Sequence, residues 1–223
     1  MYKLIKRTGD ILFALIGILI FLPFFIPLAI ALKFTGEGYI FYLQERRGYK
    51  NIKFKIYKFA TMLKASPSLG TGSITVQNDW RLTPMGKYLR GSKVNEIPQL
   101  INILIGDMSV VGPRPLMEVD FLKFSREMQG TFYNCKPGLT GIASIIFRDE
   151  EKIHSNTEMD PHEFDRLYIA PYKGALENWY QQHCNFRTDM LIIFLTAAVI
   201  VMPESKIVFR IFKDLPEMPE FMK

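Results

Sequence analysis

The stretch ILFALIGILIFLPFFIPLAIAL, Ile11 to Leu32, decides how the rest of the chain is read, because no charge interrupts it. As a continuous helix these 22 residues would reach about 33 Å, enough to cross a hydrocarbon core. Basic residues flank it on both sides: Lys3, Lys6 and Arg7 before, Lys33, Arg46, Arg47 and Lys50 after. Lys and Arg favour the cytoplasmic side, so a straight crossing would strand one flank. Pro23 lacks a backbone donor and clashes with the carbonyl four residues earlier, which makes it the natural place for a kink. The expectation is therefore a re-entrant helix that dips into one leaflet and returns, with a kinked single span as the plainer alternative. A cleaved secretory signal fits less well, since the region is long and ends without a small-x-small site.

Outward from this segment, the chain divides into an anchor over residues 1–35 and one domain over residues 36–223, large enough to close its own core. The hydrophobic share of 48% is ordinary for a globular protein, so the membrane signal lies in clustering rather than in the total. A net charge of +6 and a pI near 9.2 suit an anionic partner, which beside a bilayer means lipid phosphate or a phosphorylated substrate. Nucleic acid is excluded as the expected partner, since the chain has no RRM-like aromatic signature, zinc-finger spacing or recognition-helix pattern. Cys135 and Cys184 lack C-x-x-C spacing and read as reduced thiols of a cytoplasmic domain. His154, His162 and His183 form no H-x-x-x-H pair and are assigned no chemistry.

Local patterns give an α/β fold that is mainly helical. Ile40 to Leu43 and Ile52 to Lys58 alternate around a turn at residues 47–51, predicting a small β-hairpin. Residues 65–78, rich in Ser, Gly, Thr and Pro, read as a long mobile loop. Thr83 caps and Pro84 opens a helix that ends by presenting Arg90. A second helix starts near Asn95, turns Leu100, Ile101, Ile103 and Leu104 to the core and stops at Gly106. Gly112-Pro-Arg-Pro115 fixes Arg114 in a stiff turn, Lys136 to Gly141 forms a second rigid loop, and Val119 to Met128 reads as a helix between them. Residues 159–179 hold one or two more helices. Met190 to Met202 is too short to cross a bilayer and reads as a buried core helix. Lys206, Arg210 and Lys213 share a face opposite Val208, Phe209, Ile211 and Phe212, the pattern of an amphipathic helix lying on anionic lipid.

Between Asp79 and Pro115 the chain concentrates Arg81, Lys87, Arg90, Lys93, Glu96, Asp107 and Arg114 around helix starts and rigid turns. Arginines grip phosphate oxygens in pairs and a carboxylate can hold a magnesium ion bridging a diphosphate, so a polyphosphate site is expected, although no glycine-rich phosphate loop is present. The competing reading is a solvated charged face.

Lys58-Phe-Ala-Thr-Met62, Leu89-Arg90, Asn95-Glu-Ile-Pro-Gln-Leu100, Gly106-Asp-Met-Ser-Val-Val-Gly-Pro-Arg-Pro115 and Lys136-Pro-Gly-Leu-Thr-Gly141, in this order, resemble the bacterial monotopic phosphoglycosyl transferases. The resemblance runs through most of the chain and includes the proline-broken N-terminal segment. It implies a Mg2+-dependent enzyme at the cytoplasmic face of the bacterial inner membrane. Such an enzyme moves a sugar 1-phosphate from a UDP-sugar to polyprenyl (undecaprenyl) phosphate, releases UMP and begins surface glycan assembly. It also implies roles. An Asp-Glu pair heads the Pro-Gln-Leu helix in this family, with the aspartate as nucleophile and the glutamate on magnesium; here the pair is Asn95-Glu96. Glu96 keeps the metal role. Arg114, Arg90, Lys58 and Lys136 are the expected substrate-binding cations, each with a plainer structural alternative, and Gln99 and Asp107 are supporting residues. A neutral carboxamide is a poor nucleophile. Three readings of Asn95 stand: a replaced aspartate, a route that does without it, or a membrane-bound scaffold that binds without turnover.

Overall fold

The computed structural model describes residues 2–202 and 207–222. It opens with one helix, α1 (Tyr2–Phe34), which carries Pro23 and Pro27 inside it and reaches about 50 Å. One stripe of α1 binds the rest of the chain along its whole length. Arg7 donates to the carbonyls of Ile103 (2.5 Å) and Leu104 (2.8 Å), and Asp10 accepts from the Val110 amide at 2.9 Å. Ala14 is fully buried, and a methyl group on Gly17 would sit 2.8 Å from Leu100 Cδ1. Farther along, Phe25, Leu28 and Leu32 pack with Phe59 and Leu89. Contacts at steps of three and four define one helical face. The other faces leave Leu12, Ile16, Leu19, Ile20, Phe24 and Ile26 exposed, far more apolar surface than water tolerates on a soluble helix. Both ends of α1 are thus tied to the same body.

The hairpin follows as expected. Strands β1 (Phe41–Arg47) and β2 (Lys53–Phe59) pair antiparallel, with Phe41 opposite Phe59 and Arg47 opposite Lys53. Their connection tightens into a 3₁₀ turn at Tyr49–Asn51, where Lys50 and Asn51 take left-handed backbone at φ 55° and 61°. Helix α2 (Pro84–Gly91) starts on Thr83, whose hydroxyl accepts from the Gly86 amide at 3.0 Å. A 3₁₀ turn at Val94–Glu96 then leads into α3 (Gln99–Ile105), which ends where Gly106 adopts φ 100°. Leu100 and Ile103 of α3 are in the core as expected, but Ile101 is turned outward.

Strands β3 (Ser109–Val111) and β4 (Gly138–Thr140) run parallel, Ser109 beside Gly138 and Val111 beside Thr140. This pairing explains the glycines of the two rigid motifs. A Cβ on Gly138 would lie 2.1 Å from the Gly112 amide nitrogen, and one on Gly141 would lie 2.3 Å from the Gly112 carbonyl oxygen. The Arg114 turn and the Lys136 loop are two halves of one backbone crossing that only glycine allows.

Four expectations change. Residues 119–128 do not form one helix: α4 (Glu118–Phe121) ends early, and α5 (Arg126–Thr131) starts afresh on Ser125, which accepts from the Met128 amide. Residues 65–78 are not an open loop but turns wrapped around the buried Arg81 side chain. After the short helices α6 (Ile142–Ile146), α7 (Glu150–Ser155) and α8 (Pro161–Phe164), a π-helical turn leads into α9 (Ala170–His183). Then comes α10 (Phe186–Val201), which buries Ile192, Leu195 and Val199 but leaves Phe186, Met190, Phe194, Ile200 and Val201 exposed, so it is only half a core helix. Finally α11 (Ile207–Ile211) spends its apolar side on the protein: Val208 and Phe212 are buried, Phe212 edge-on to Trp179. That surface is not available to lipid. Lys206, the first cation of the expected amphipathic pattern, lies outside the described residues.

Candidate active site

A cavity of about 710 Å³ is lined by residues between Phe13 and Ile200, Glu96 among them. The left-handed turn at Lys93 and the 3₁₀ turn that follows swing Glu96 toward β2 and the Arg114 turn. Its Oε1 accepts from Arg114 Nη2 at 2.7 Å and from Lys58 Nζ at 3.3 Å. Burial works against its charge, yet Arg114 first, then Lys58 and Lys93, hold it well below the usual carboxylate range. Lys58 is driven the other way: burial lowers it to about 7 despite Glu96, and Arg114, Arg46 and Arg90 push in the same direction. Around Glu96 the cations Lys58, Lys93 and Arg114 outnumber the anion, an excess of positive charge that favours an anionic ligand.

The Arg114 turn is held rigidly. Tyr133 Oη accepts from the Leu116 amide at 2.8 Å and donates to the Arg114 carbonyl at 2.9 Å, while Arg46 donates to the Pro115 carbonyl at 3.3 Å. From α9, Glu177 Oε1 accepts from the Arg114 amide at 3.4 Å. Glu177 is buried, and burial raises its carboxyl to about 8. A raised acid binds a proton in the folded chain where the unfolded chain has lost it, so stability falls as pH rises from the ordinary carboxylate range through 8. Glu177→Gln is expected to match the parent at pH 4 and to melt progressively higher from pH 5 to 8. The gain should reach a few kcal/mol, since each tenfold change in proton affinity is worth about 1.4 kcal/mol, and thermal melts across pH read it.

A second cluster of titratable groups lines the same cavity. Glu150, His154 and Asp165 bring one ligand atom each within 4.8 Å of one another. Lys173 lies 2.6 Å from Glu150 and Lys123 2.6 Å from Asp165, so both carboxylates already carry a cation. Two carboxylates and an imidazole suit a borderline metal better than magnesium, which wants oxygen. A harder pair stands at the head of α3. Asn95 is buried and its Oδ1 has no hydrogen-bond partner among the described residues, next to the Glu96 carboxylate. Glu96 would hold a magnesium ion through its carboxylate, an oxygen donor of the kind that ion prefers, and the ion would supply positive charge beside Lys58 and Arg114. Unpartnered atoms mark the rest of the cavity too: Ser144 Oγ, Arg148 Nη1, His154 Nδ1 and Glu177 Oε2 all belong to lining residues. Buried polar groups without partners among the described residues are uncommon.

Of the residues singled out from the sequence, Lys58, Asn95, Glu96 and Arg114 converge. Arg90 lines the same cavity, bound to Glu151 at 2.7 Å and to Thr75 Oγ1 at 2.9 Å. Gln99 is buried at the start of α3. Lys136 and Asp107 do not line the cavity; Lys136 sits among Arg7, Asp10 and Asp107 at the end of α3. Arg81 does not line the cavity, for it is buried and saturated by Asp79 and loop carbonyls. Arg46, Arg148, Glu150, Glu151, His154, Asp165, Lys173 and Glu177 are not legible as site residues in the sequence. Only the charge run Arg148 to Lys152 offers a signal, and no spacing rule attaches it to Glu96.

A family model described as bacterial sugar transferase matches residues 1–203. The UDP-N-acetylgalactosamine-undecaprenyl-phosphate N-acetylgalactosaminephosphotransferase of Aeromonas hydrophila is 32% identical over 202 residues, 90% of this chain and 44% of that protein. Exopolysaccharide production protein ExoY of Rhizobium meliloti (strain 1021) is 31% identical over 209 residues, 87% of this chain and 84% of that one. The UDP-glucose:undecaprenyl-phosphate glucose-1-phosphate transferase of Escherichia coli (strain K12) is 32% identical over 201 residues, 87% of this chain and 39% of that one. The chain therefore spans less than half the length of two of these relatives and most of the third.

Proposed function

Because the chain belongs to the bacterial sugar transferase family, we propose that it moves a sugar 1-phosphate from a UDP-sugar to undecaprenyl phosphate, releasing UMP, in the cavity around Glu96. The observation that carries this reading is the convergence of Lys58 and Arg114 on the half-buried Glu96 carboxylate. Arg114, Lys58 and Arg90 bind the diphosphate, and Lys93 and Arg46 add positive potential from behind. Tyr133 and Glu177 keep the Arg114 turn from yielding when phosphate pulls on it. Glu96 would hold Mg2+, which when bound neutralises diphosphate oxygens. With a carboxamide at position 95, the acceptor phosphate itself attacks the sugar-bearing phosphorus. One P–O bond forms to the lipid phosphate as the bond to UMP breaks, and the electron pair leaves on UMP.

The anchor over residues 1–35 is a re-entrant membrane helix, and residues 36–223 form the catalytic domain on the cytoplasmic side of the bacterial inner membrane. Two facts support this: the basic flanks, and the contacts that bind both ends of α1 to one body. A lipid-anchored cavity at headgroup level reaches polyprenyl phosphate without lifting its tail into water. Labelling of an N-terminal cysteine in whole cells and in inverted vesicles tests the topology; labelling from the periplasm alone overturns it.

For the activity, purified chain is given undecaprenyl phosphate, Mg2+ and a panel including UDP-glucose and UDP-N-acetylgalactosamine. UMP release should require the lipid phosphate, stop with EDTA and fall about 10²-fold or more in Arg114→Ala, as loss of a charge-stabilising donor does elsewhere. Silence of both the parent and Asn95→Asp would instead support the scaffold reading.

A further inference from the structure

The family match ends at residue 203, and past it the described residues 207–222 lie along helix α9. Phe212 meets Trp179 edge-on at 5.0 Å between ring centroids, while Asp214 Oδ2 accepts from Trp179 Nε1 at 2.9 Å and lies 3.2 Å from His183 Nε2. Farther on, the Pro216 carbonyl accepts from Tyr172 Oη at 3.2 Å. Phe221 then reaches Phe164 at 5.5 Å and Tyr168 at 6.1 Å, two rings that are themselves 5.1 Å apart. The tail therefore runs back along α9, from the end of that helix to the π-helical turn that precedes it. At about 100° per residue, Tyr172, Trp179 and His183 share one stripe of α9, and Lys173 and Glu177, which line the cavity, share another.

The π-helical turn, Asp165–Ile169, is the weak joint of this region. Its closing bond runs from the Ala170 amide to the Asp165 carbonyl, one residue farther than in an α-helix. Pro171 follows; it has no amide to donate, and its ring crowds the carbonyl four residues earlier. Backbone bonding is thus thin where the chain must hold Asp165, and side chains take over on both sides. Inside, Asp165 is buried, with Lys123 2.6 Å from Oδ2 and His154 3.9 Å from Oδ1. Outside, Phe164, Tyr168 and Phe221 form the ring cluster. Phe164 also sits edge-on to His154 at 6.5 Å, so rings run unbroken from the tail to a residue that lines the cavity.

We infer that Phe221 is a positioning residue for the transferase site: packed outside the π-helical turn, it fixes the Glu150, His154 and Asp165 cluster through Phe164. This rests on the transferase reading above. A third ring against Phe164 and Tyr168 stabilises the turn in the form that keeps Asp165 inward. From Asp165 the contacts pass through His154 to Glu150, 3.3 Å away, and Lys173 holds Glu150 at 2.6 Å. Glu150 also acts on the diphosphate end of the cavity, since Arg114 is kept charged by Glu96 first and Glu150 adds to it. A loosened turn therefore displaces groups that surround the nucleotide sugar.

Phe221→Ala, Phe221→Tyr and Met218→Ala are made in the full chain in lipid nanodiscs. Met218 shares the tail but is not among the described residues packed on the core. Hydrogen exchange read by mass spectrometry needs no turnover. Phe221→Ala should speed exchange in peptides covering residues 161–170 at least about tenfold, the scale of a lost aromatic pair, with α3 and the β1–β2 hairpin unchanged. Phe221→Tyr, which keeps the ring, and Met218→Ala should exchange like the parent. With undecaprenyl phosphate as acceptor, Phe221→Ala should raise the UDP-sugar KM about tenfold and leave kcat within about twofold, because displaced binding groups weaken the complex without touching the reacting atoms. Unchanged exchange at 161–170, or equal acceleration throughout the chain, would overturn the proposal. So would faster exchange there with a parental KM, since the tail would then hold the turn without setting the site. If the parent releases no UMP, the transferase reading falls, and the inference is then decided by the exchange pattern together with the Kd of a UDP-sugar, which should weaken about tenfold in Phe221→Ala.

Discussion

Asn95→Asp is expected to raise UMP release on the order of 10³-fold or more, since loss of a covalent nucleophile in well-studied enzymes costs that much or beyond. Asn95 directly precedes a carboxylate that three cations hold in its charged form. Its Oδ1 is buried without a partner, and its neighbour Glu96 faces Lys58, Lys93 and Arg114. Lys58 is driven down to about 7 by burial and by the nearby guanidinium groups of Arg114, Arg46 and Arg90, so one more negative charge would relieve repulsion rather than add it. Aspartate has the shape of asparagine and introduces no packing cost. It also supplies an oxygen able to take the sugar-bearing phosphoryl group, which splits one displacement into two. The signature is a burst: the variant should release about one equivalent of UMP from UDP-sugar before any lipid phosphate is added, and the parent should release none. A variant as slow as the parent, without a burst, would mean that the pocket does not run covalent chemistry at position 95.

How much of this is readable from the chain alone depends on whether the determinant is local. The hairpin, the Thr83 cap, the Gly106 stop and the apolar anchor are all visible because each follows from residues adjacent in sequence. Lys58, Glu96 and Arg114 emerge as neighbours only through motif resemblance; nothing in their spacing brings β2, the 3₁₀ turn and the Arg114 turn together. The second cluster is invisible for the same reason. Glu150, His154 and Asp165 come from α7 and the π-helical turn, and their side chains meet only because α8 folds the chain back between them. The helices α10 and α11 depart from expectation in opposite directions. Their apolar content is plain, but whether lipid or protein covers each face is set by Asp189, Trp179 and the long helix at the other end of the chain. Arg81 is the sharpest case, since a cation amid other cations reads as a phosphate ligand until its partners are known.

Arg81→Met should therefore damage stability rather than substrate affinity. The guanidinium donates to the carbonyls of Ser66 (3.0 Å), Leu69 (2.8 Å), Gly72 (2.8 Å) and Ile74 (2.6 Å), to Thr71 Oγ1 at 2.9 Å, and to both oxygens of Asp79. A segment rich in Ser, Gly and Thr, with Ile74 as its buried apolar side chain, is organised around one buried cation. Methionine fills most of the volume but leaves the Asp79 charge and several carbonyls unpaired, and breaking a buried pair in this way costs about 3–5 kcal/mol. For a chain of this size that is a fall of roughly 10 °C or more in Tm. Lysine should rescue little, because a single ammonium cannot reach carbonyls spread around a planar fork. Asp79→Asn added to Arg81→Met should cost less than the sum of the two single changes, since the double variant no longer buries a lone charge. The site would suffer with the segment: Ser66, Gly72 and Thr75 line the cavity, and Thr75 holds Arg90. Activity should fall in step with the fraction folded, and cooling should restore it. A variant with parental Tm and a raised UDP-sugar KM would return Arg81 to the phosphate site.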